Sequence, residues 1–302
     1  MMRIPLDLAE TLAAIVDEGT LDAAARRLNL TPSAVSQRLK TLERQLGRVL
    51  LVRTKPARAT PAGQVIVRLA RQLALLEHDT LAELGADEAG SARIEVPLAV
   101  NADSLSTWFL EPLARLSRTH PVVFDLHRDD QDFTAGLLES GTVLGAVTSR
   151  AQPVAGCRVV PLGVMRYEAV AAPGFADEWF PGGPGIESLA IAPLVDFDRR
   201  DDLQTAWLAG RGADPASPPR HHVPASNDFA RAVLAGLGWG LLPRFQSAGP
   251  LAAGELVGLG GAGVDVALYW QQWNLRSGLL EAIAAEVVTE ARRVLEPFSV
   301  RS

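Results

Sequence analysis

The 302-residue sequence predicts a chain of two architectures: a small helical head ending in a basic hairpin, and a larger α/β body behind a long helix. Three observations lead there. Caps and breakers cut residues 1–60 into short helices, charge is divided unevenly along the chain, and from Ala92 short apolar strands alternate with helical stretches. The net charge is −6, yet residues 1–60 carry ten Lys/Arg against six Asp/Glu, leaving the remainder at −10. A basic head on an acidic body suits a nucleic-acid partner at one end and a separate sensing module at the other. The length is generous for one domain and comfortable for two or three.

In the head, Leu8, Leu12, Ile15 and Val16 recur at helical spacing until Gly19 ends the first helix. Thr20 is placed to cap a second helix over Leu21 to Leu28, whose Ala23, Ala24 and Ala25 leave room for a neighbour to pack closely. Asn29 and Leu30 make a turn. Thr31 caps the third helix and Pro32 occupies its first position, where a missing N–H costs nothing. Val35, Leu39, Leu42 and Leu46 form its buried stripe, and Gly47 ends it. Its opposite face presents Ser33, Ser36, Gln37 and Lys40, side chains that hydrogen-bond base edges or phosphates from the first turns of a helix laid in a major groove. Leu50 to Val52 then runs into Arg53, Thr54, Lys55 and Arg58, a cationic strand and turn suited to the flanking backbone or minor groove. The expected DNA-contact set is therefore Thr31, Pro32, Ser33, Ser36, Gln37, Lys40, Arg53, Thr54 and Arg58. The unit reads as a winged helix-turn-helix over residues 1–60.

From Pro61 and Gly63 a helical pattern continues to about Glu83, with Ile66, Leu69, Leu73, Leu76 and Leu84 spaced near three and four. One apolar stripe needs a partner, so Ile66, Leu69, Leu73 and Leu76 are expected to pair two copies of the chain and bring two heads to two half-sites. Residues 85–91, small and acidic, read as a hinge.

In the body, Ile94 to Val100, Val122 to Leu126 and Val143 to Val147 read as strands, and Leu105 to Leu116 and Asp132 to Leu138 as helices, a parallel-sheet α/β pattern. Further elements are expected at Val159 to Ala171, Pro193 to Phe197, Leu203 to Leu208, Phe229 to Leu234 and Trp239 to Leu242. A strand over Val264 to Trp270 and a helix from about Leu279 to Leu295 complete it. Two segments stand out chemically. Asn101, Ala102, Asp103 and Ser104 lie between a strand end and a helix start, where N–H groups and the helix dipole favour a carboxylate. Asp198, Asp201 and Asp202 follow another strand end and offer acceptors for an amine. Together they point to a zwitterionic, cationic ligand.

Several function classes are excluded. The run Gly236, Gly238, Gly240 joins a helix end to a strand start, the reverse of a dinucleotide loop. No nucleophile elbow, metalloprotease motif or paired cysteines appear, so no enzyme activity and no cofactor are expected. His78, His120, His127, His221 and His222 lack metal-ligand spacing, and Cys157 is the single cysteine, so neither a metal nor an internal disulfide is expected. The first residues turn acidic with no apolar signal region, and no stretch of 18 uncharged apolar residues occurs; the expectation is a cytoplasmic protein with no membrane role.

The run Ala23-Ala24-Ala25-Arg26-Arg27-Leu28, with Ser33 through Glu43 and Leu46-Gly47, resembles the signature of LysR-type transcriptional regulators. Pro32 stands where that family often has Gln. Leu51 to Thr54 and Thr60 to Gly63 resemble its wing and the start of its linker helix. The resemblance implies a two-lobed body similar to periplasmic solute-binding proteins, lobe I at about 91–163 and 266–302 and lobe II at about 164–265, with a ligand in the cleft. Val100 to Ser104 with Trp108, Gly145 to Val147 and Leu268 to Trp270 resemble the ArgP/LysG subgroup, which implies lysine or arginine as effector and control of basic amino-acid export. It also implies Thr148, Ser226 and Asn227 as further effector contacts. The implied partners are double-stranded promoter DNA, the small effector, RNA polymerase and further copies of the chain as a dimer or tetramer. A general DNA-bending protein with a silent sensor, and a LysR-type regulator with a different small-molecule effector, remain the competing readings.

Overall fold

The computed structural model describes residues 3–84, 93–128 and 134–298. The head consists of α1 (Leu6–Glu18), α2 (Leu21–Arg27), α3 (Pro32–Leu46), and the hairpin of β1 (Leu51–Val52) and β2 (Arg58–Ala59). Its boundaries follow the punctuation in the sequence. Gly19 takes the left-handed conformation (φ 70°) that ends α1, and Gly47 (φ 63°) ends α3. Thr20 Oγ1 accepts from Ala23 N at 3.2 Å, and Thr31 Oγ1 from Ala34 N at 3.2 Å. Leu12, Ile15, Ala24, Val35, Leu39 and Leu42 close a common core, whereas Leu46 is only half-buried. The β1–β2 pair is antiparallel, with Leu51 opposite Ala59 and Val52 opposite Arg58.

The long helix α4 (Pro61–Glu83) follows at once. Its first turn lies so close to the head that a Cβ on Gly63 would sit 2.0 Å from the Leu50 carbonyl oxygen. Ile66, Val67 and Ala70 belong to the head's own core, while Leu75 belongs to the core of the body. This corrects the expected dimer stripe at one position: Ile66, 6 % exposed, is consumed inside its own chain. Leu69, Leu73 and Leu76 stay partly exposed, and Leu84 is 74 % exposed. The expected hinge, 85–91, lies outside the described residues, as do Asp132 and Phe133 at the start of one expected helix.

The body opens with β3 (Ile94–Val100), α5 (Ala102–Thr107), α6 (Leu110–Leu116), β4 (Val122–Arg128), α7 (Thr134–Glu139) and β5 (Gly145–Thr148). Where one helix was expected over Leu105 to Leu116 there are two. Pro112 lacks the N–H a continuous helix would need, and the chain turns so that both Trp108 and Phe109 enter the core. Next come β6 (Cys157–Ala171), α8 (Pro173–Trp179), α9 (Ile186–Ile191), β7 (Leu194–Asp196), α10 (Leu203–Gly210), β8 (Arg220–His222) and α11 (Ser226–Leu234). The chain finishes through β9 (Gly240–Pro243), α12 (Arg244–Ala253), β10 (Val257–Gly258), β11 (Val264–Trp273) and α13 (Gly278–Val294).

One seven-stranded sheet runs in the order β10-β6-β11-β5-β3-β4, with β9 also pairing β6. The pattern of a parallel sheet holds only in part: β3 is parallel to β4 and β5, but β11 returns antiparallel to both β5 and β6. The long strands β6 and β11 serve both lobes. Gly163 in β6 (φ 150°) faces a register shift at Leu268/Tyr269 in β11, so both strands bend at the same level. The second lobe adds β7 and β8, a separate parallel pair. Trp239 and Trp270 are fully buried, and Trp108 and Trp273 nearly so, which makes all four core residues.

Candidate functional site

Two regions carry the chemistry expected from the sequence. In the first, the start of α3 presents Thr31, Pro32, Ser33, Gln37 and Lys40 to solvent, with Ser36 half-buried beside them. Thr31 divides its hydroxyl between capping Ala34 N and a 2.9 Å contact with Ser33 Oγ, which fixes both side chains at the helix tip. Arg53, Thr54 and Arg58 are exposed on the hairpin, where Thr54 Oγ1 donates to the Pro56 carbonyl at 2.7 Å. Among the described residues Lys40, Arg53, Lys55 and Arg58 have no acidic partner, so this face carries uncompensated positive charge. Arg38 differs, being drawn inward to Thr11 (3.4 Å) and Asp7 (3.7 Å).

The second region is a cavity of about 270 Å³ between the lobes, at the small end of the roughly 300–1,000 Å³ usual for ligand pockets. Asn101, Ala102 and Asp103 reach it from the β3–α5 junction, and Asp198, Asp201 and Asp202 from the segment after β7. Ser226 at the start of α11 closes it from the second lobe. Four aspartates thus face the cavity, and among the described residues its lining cation is Arg200, which is paired with Asp198 at 3.2 Å.

Asp103 is the hub. Its carboxylate accepts from Tyr167 Oη at 2.6 Å and from Ser226 Oγ at 2.6 Å. Ser226 Oγ in turn accepts from Ser106 Oγ at 2.8 Å and from Gln246 Nε2 at 3.0 Å. This chain joins α5 of the first lobe to α11 and α12 of the second. Burial pushes the Asp103 carboxyl above its usual range, against the lowering effect of the Ser226 and Tyr167 hydroxyls. Burial together with the Asp103 charge holds the Tyr167 phenol well above its ordinary value, so it remains a donor.

Asp201 accepts from Phe197 N at 3.2 Å and Leu203 N at 3.1 Å. Burial raises its carboxyl to about 6; those two N–H groups oppose the rise, and nearby Asp196 and Asp103 add to it. Asp198 caps its own turn, accepting from Arg200 N at 2.7 Å and Asp201 N at 3.1 Å. Asp202 is exposed at the start of α10 and makes no capping bond there. Asn101 Oδ1 is buried without a hydrogen-bond partner, and so is Gln246 Oε1. Unsatisfied acceptors on the wall of a polar cavity are sites where a donor would be stabilised.

Three of the expected effector residues are not in the cavity wall. Thr148 is buried in β5, its hydroxyl closing a turn by accepting from Arg150 N at 3.2 Å. Ser104 is fully buried behind α5, and Asn227 points to solvent, where Oδ1 accepts from Gln246 Nε2 at 3.3 Å. In the opposite sense, Tyr167 and Gln246 occupy the site without having been singled out. Tyr167 lies mid-way along a 15-residue strand and Gln246 inside an ordinary helix, so no local pattern marks them; only the sheet and the returning second lobe bring them to Asp103.

The profile of the bacterial regulatory helix-turn-helix protein, lysR family, matches residues 6–64, and that of the LysR substrate binding domain matches residues 88–292. The chain belongs to the LysR family of transcriptional regulators. This LysR-type chain is 42 % identical over 294 residues to the lysine export transcriptional regulatory protein LysG of Corynebacterium glutamicum, covering 97 % of the chain and 99 % of that protein. Among solved structures it is similar to ArgP from Mycobacterium tuberculosis, at 43 % identity and a TM-score of 0.86, covering 98 % of this chain and 100 % of that one. It is also similar to full-length LysG from C. glutamicum with bound effector Arg, at 40 % identity and a TM-score of 0.77, covering 97 % and 100 %. The winged head, long helix and two-lobed body are thus the architecture of this family. Among the described residues, no helix of the regulator is long and apolar enough to cross a membrane.

Proposed function

We propose that this LysR-type regulator binds a basic amino acid, lysine or arginine, in the cavity between its lobes and in response changes how it engages a promoter controlling basic amino-acid export. The observation that carries the reading is the charge of the cavity: among the described residues, Asp103, Asp198, Asp201 and Asp202 face it against one cation, Arg200. A cation entering such a site gains charge-assisted hydrogen bonds and relieves repulsion among the carboxylates. The names of the relatives support the same ligand class, one being a lysine-export regulator and one a structure with bound arginine.

In this reading Ser33, Ser36, Gln37 and Lys40 read or clamp the major groove, Thr31 and Pro32 shape the helix tip, and Arg53, Thr54 and Arg58 hold the flanking backbone. Copies associate as a dimer or tetramer through Leu69, Leu73 and Leu76 of α4, and RNA polymerase is the downstream partner in the cytoplasm. A ligand acts only by preferring one lobe arrangement, and the cross-lobe chain through Asp103 and Ser226 gives it one to prefer. The test is the melting temperature of the full chain with L-lysine, L-arginine, and the uncharged analogues norleucine and citrulline. At a hundredfold excess over Kd, binding adds about 2.7 kcal/mol of stability, readily seen as a rise in Tm. A rise with lysine or arginine and none with the analogues is expected; equal responses, or none, overturn the reading.

A further inference from the structure

We propose that Arg68 and Arg71 of α4 form a latch that fixes the orientation of the DNA-reading head against the first lobe of the body. Arg71 reaches both ways at once, one side of its guanidinium donating to Asp17 at the end of α1 and the other to the carbonyl of Gly141. Arg68 donates to the carbonyl of Glu139 at 2.9 Å while its guanidinium lies 4.9 Å from the centre of the Trp273 ring. Glu139 ends α7 and Gly141 lies two residues beyond it, so both carbonyls are at the end of the helix where its dipole favours a cation. A guanidinium can serve two acceptors because its donors are set in a rigid fork.

The approach is close and built in. Gly141 takes φ 69°, and a Cβ there would lie 2.4 Å from Cβ of Arg68. Asp17 also holds Arg27 at 3.3 Å, and Arg27 reaches Glu95 of β3 at 3.9 Å, so the polar contact continues across the boundary. Further along α4, Asp79 Oδ1 accepts from Leu279 N of α13 at 3.3 Å, and Leu75 is buried in the body's core.

Beside the latch lies a cavity between head and body. It has a volume of about 690 Å³ and separates Asp17, Glu18 and the hairpin residues Ala57, Arg58 and Ala59 from Gly136, Leu137, Ser140 and Thr142 of the body. The guanidinium bonds of Arg68 and Arg71 thus span the boundary beside this cavity. The head's direction therefore depends on where the first lobe holds the end of α7, and a displacement of α7 relative to α4 is transmitted to the hairpin and α3.

The test uses the full chain with nitroxide labels at the exposed positions Gln45 of the head and Glu111 of the first lobe, introduced as Gln45→Cys and Glu111→Cys with Cys157→Ser. Labelled chains are diluted into unlabelled protein, and the distance distribution is read by pulsed electron paramagnetic resonance without any ligand. The parent gives one narrow distance; the Arg68→Gln/Arg71→Gln variant loses it, giving a broad or two-peaked distribution. Asp17→Asn, which keeps the side chain's shape and removes its charge, tests the head end and broadens the distance as well. A narrow, unshifted distance in both variants overturns the latch. Because no effector enters the measurement, its outcome is independent of which ligand the cavity takes.

Discussion

If an ammonium group is held by Asp201, effector affinity depends on pH in a way the structure sets. The Asp201 carboxyl is raised to about 6 in the free protein, so it is mostly protonated at pH 5 and mostly ionised at pH 8. Lysine and arginine keep their side-chain charge across this range, and a cation binds the ionised form. The apparent Kd is the intrinsic value divided by the ionised fraction, which at pH 5 is about one-tenth; affinity therefore weakens about tenfold from pH 8 to pH 5, or about 1.4 kcal/mol. The carboxylates acting on Asp201 are Asp196 and Asp103, and Asp198, Asp202 and Arg200 line the same cavity; Asp196 is itself held above its usual range by burial, partly offset by Arg220. The linkage for the unliganded protein has the opposite sense. A carboxyl raised on folding contributes stability that is present below its unfolded value near 4 and is lost as pH rises through about 6. Calorimetric titration of the parent and of Asp201→Asn at pH 5, 6, 7 and 8 reads the binding effect, and unfolding of the unliganded proteins over the same range reads the stability effect. The parent should show the tenfold change with proton release on binding near pH 6; the variant should bind more weakly at pH 8 and show a flatter profile. A parent profile that is flat, or that strengthens toward pH 5, refutes the assignment of Asp201 to the cation.

Two further predictions concern the DNA face and the linker helix. Arg53→Ala should weaken operator binding and lower the magnitude of the salt-dependence slope by about 0.9, the loss of one phosphate contact, whereas Ser36→Ala should weaken it with the slope unchanged; operator titrations at several salt concentrations check both. Ile66→Ala should cost about 2–5 kcal/mol of head stability, read as a lowered melting temperature with the oligomeric state intact, because Ile66 is a core residue of its own chain. Leu73→Asp should instead lower the association state in sedimentation while leaving the head folded.

The head was legible almost residue by residue. Its caps and breakers act through backbone groups within three or four residues, so Thr20, Thr31, Pro32, Gly19 and Gly47 state their roles in the sequence itself. The candidate site was legible only by halves. Asp103, Asp198, Asp201 and Asp202 were visible because each follows a strand end, a local feature. Tyr167 and Gln246 were not, since their distances to Asp103 and Ser226 arise from pairing across 64 and 20 residues. Thr148 and Ser104 went the other way: polar side chains near the cleft in sequence, they lie in the interior because β5 is buried along its whole length and α5 packs Ser104 inward.

By itself the sequence determined the local framework: three capped helices, a cationic hairpin, a long amphipathic helix and an α/β body with carboxylates at strand ends. These rest on short-range hydrogen bonding, periodicity and charge, which any window of a few turns contains. The tertiary structure alone decided how shared elements are divided. It assigned Ile66 to the head and Leu75 to the body within one helix, turned β11 antiparallel so that the last strand closes the first lobe, and set Asp103 against Ser226 across the cleft. An apolar stripe records that a side chain must leave water, and a polar one that it must find a partner. Which surface or partner it meets depends on packing among distant elements.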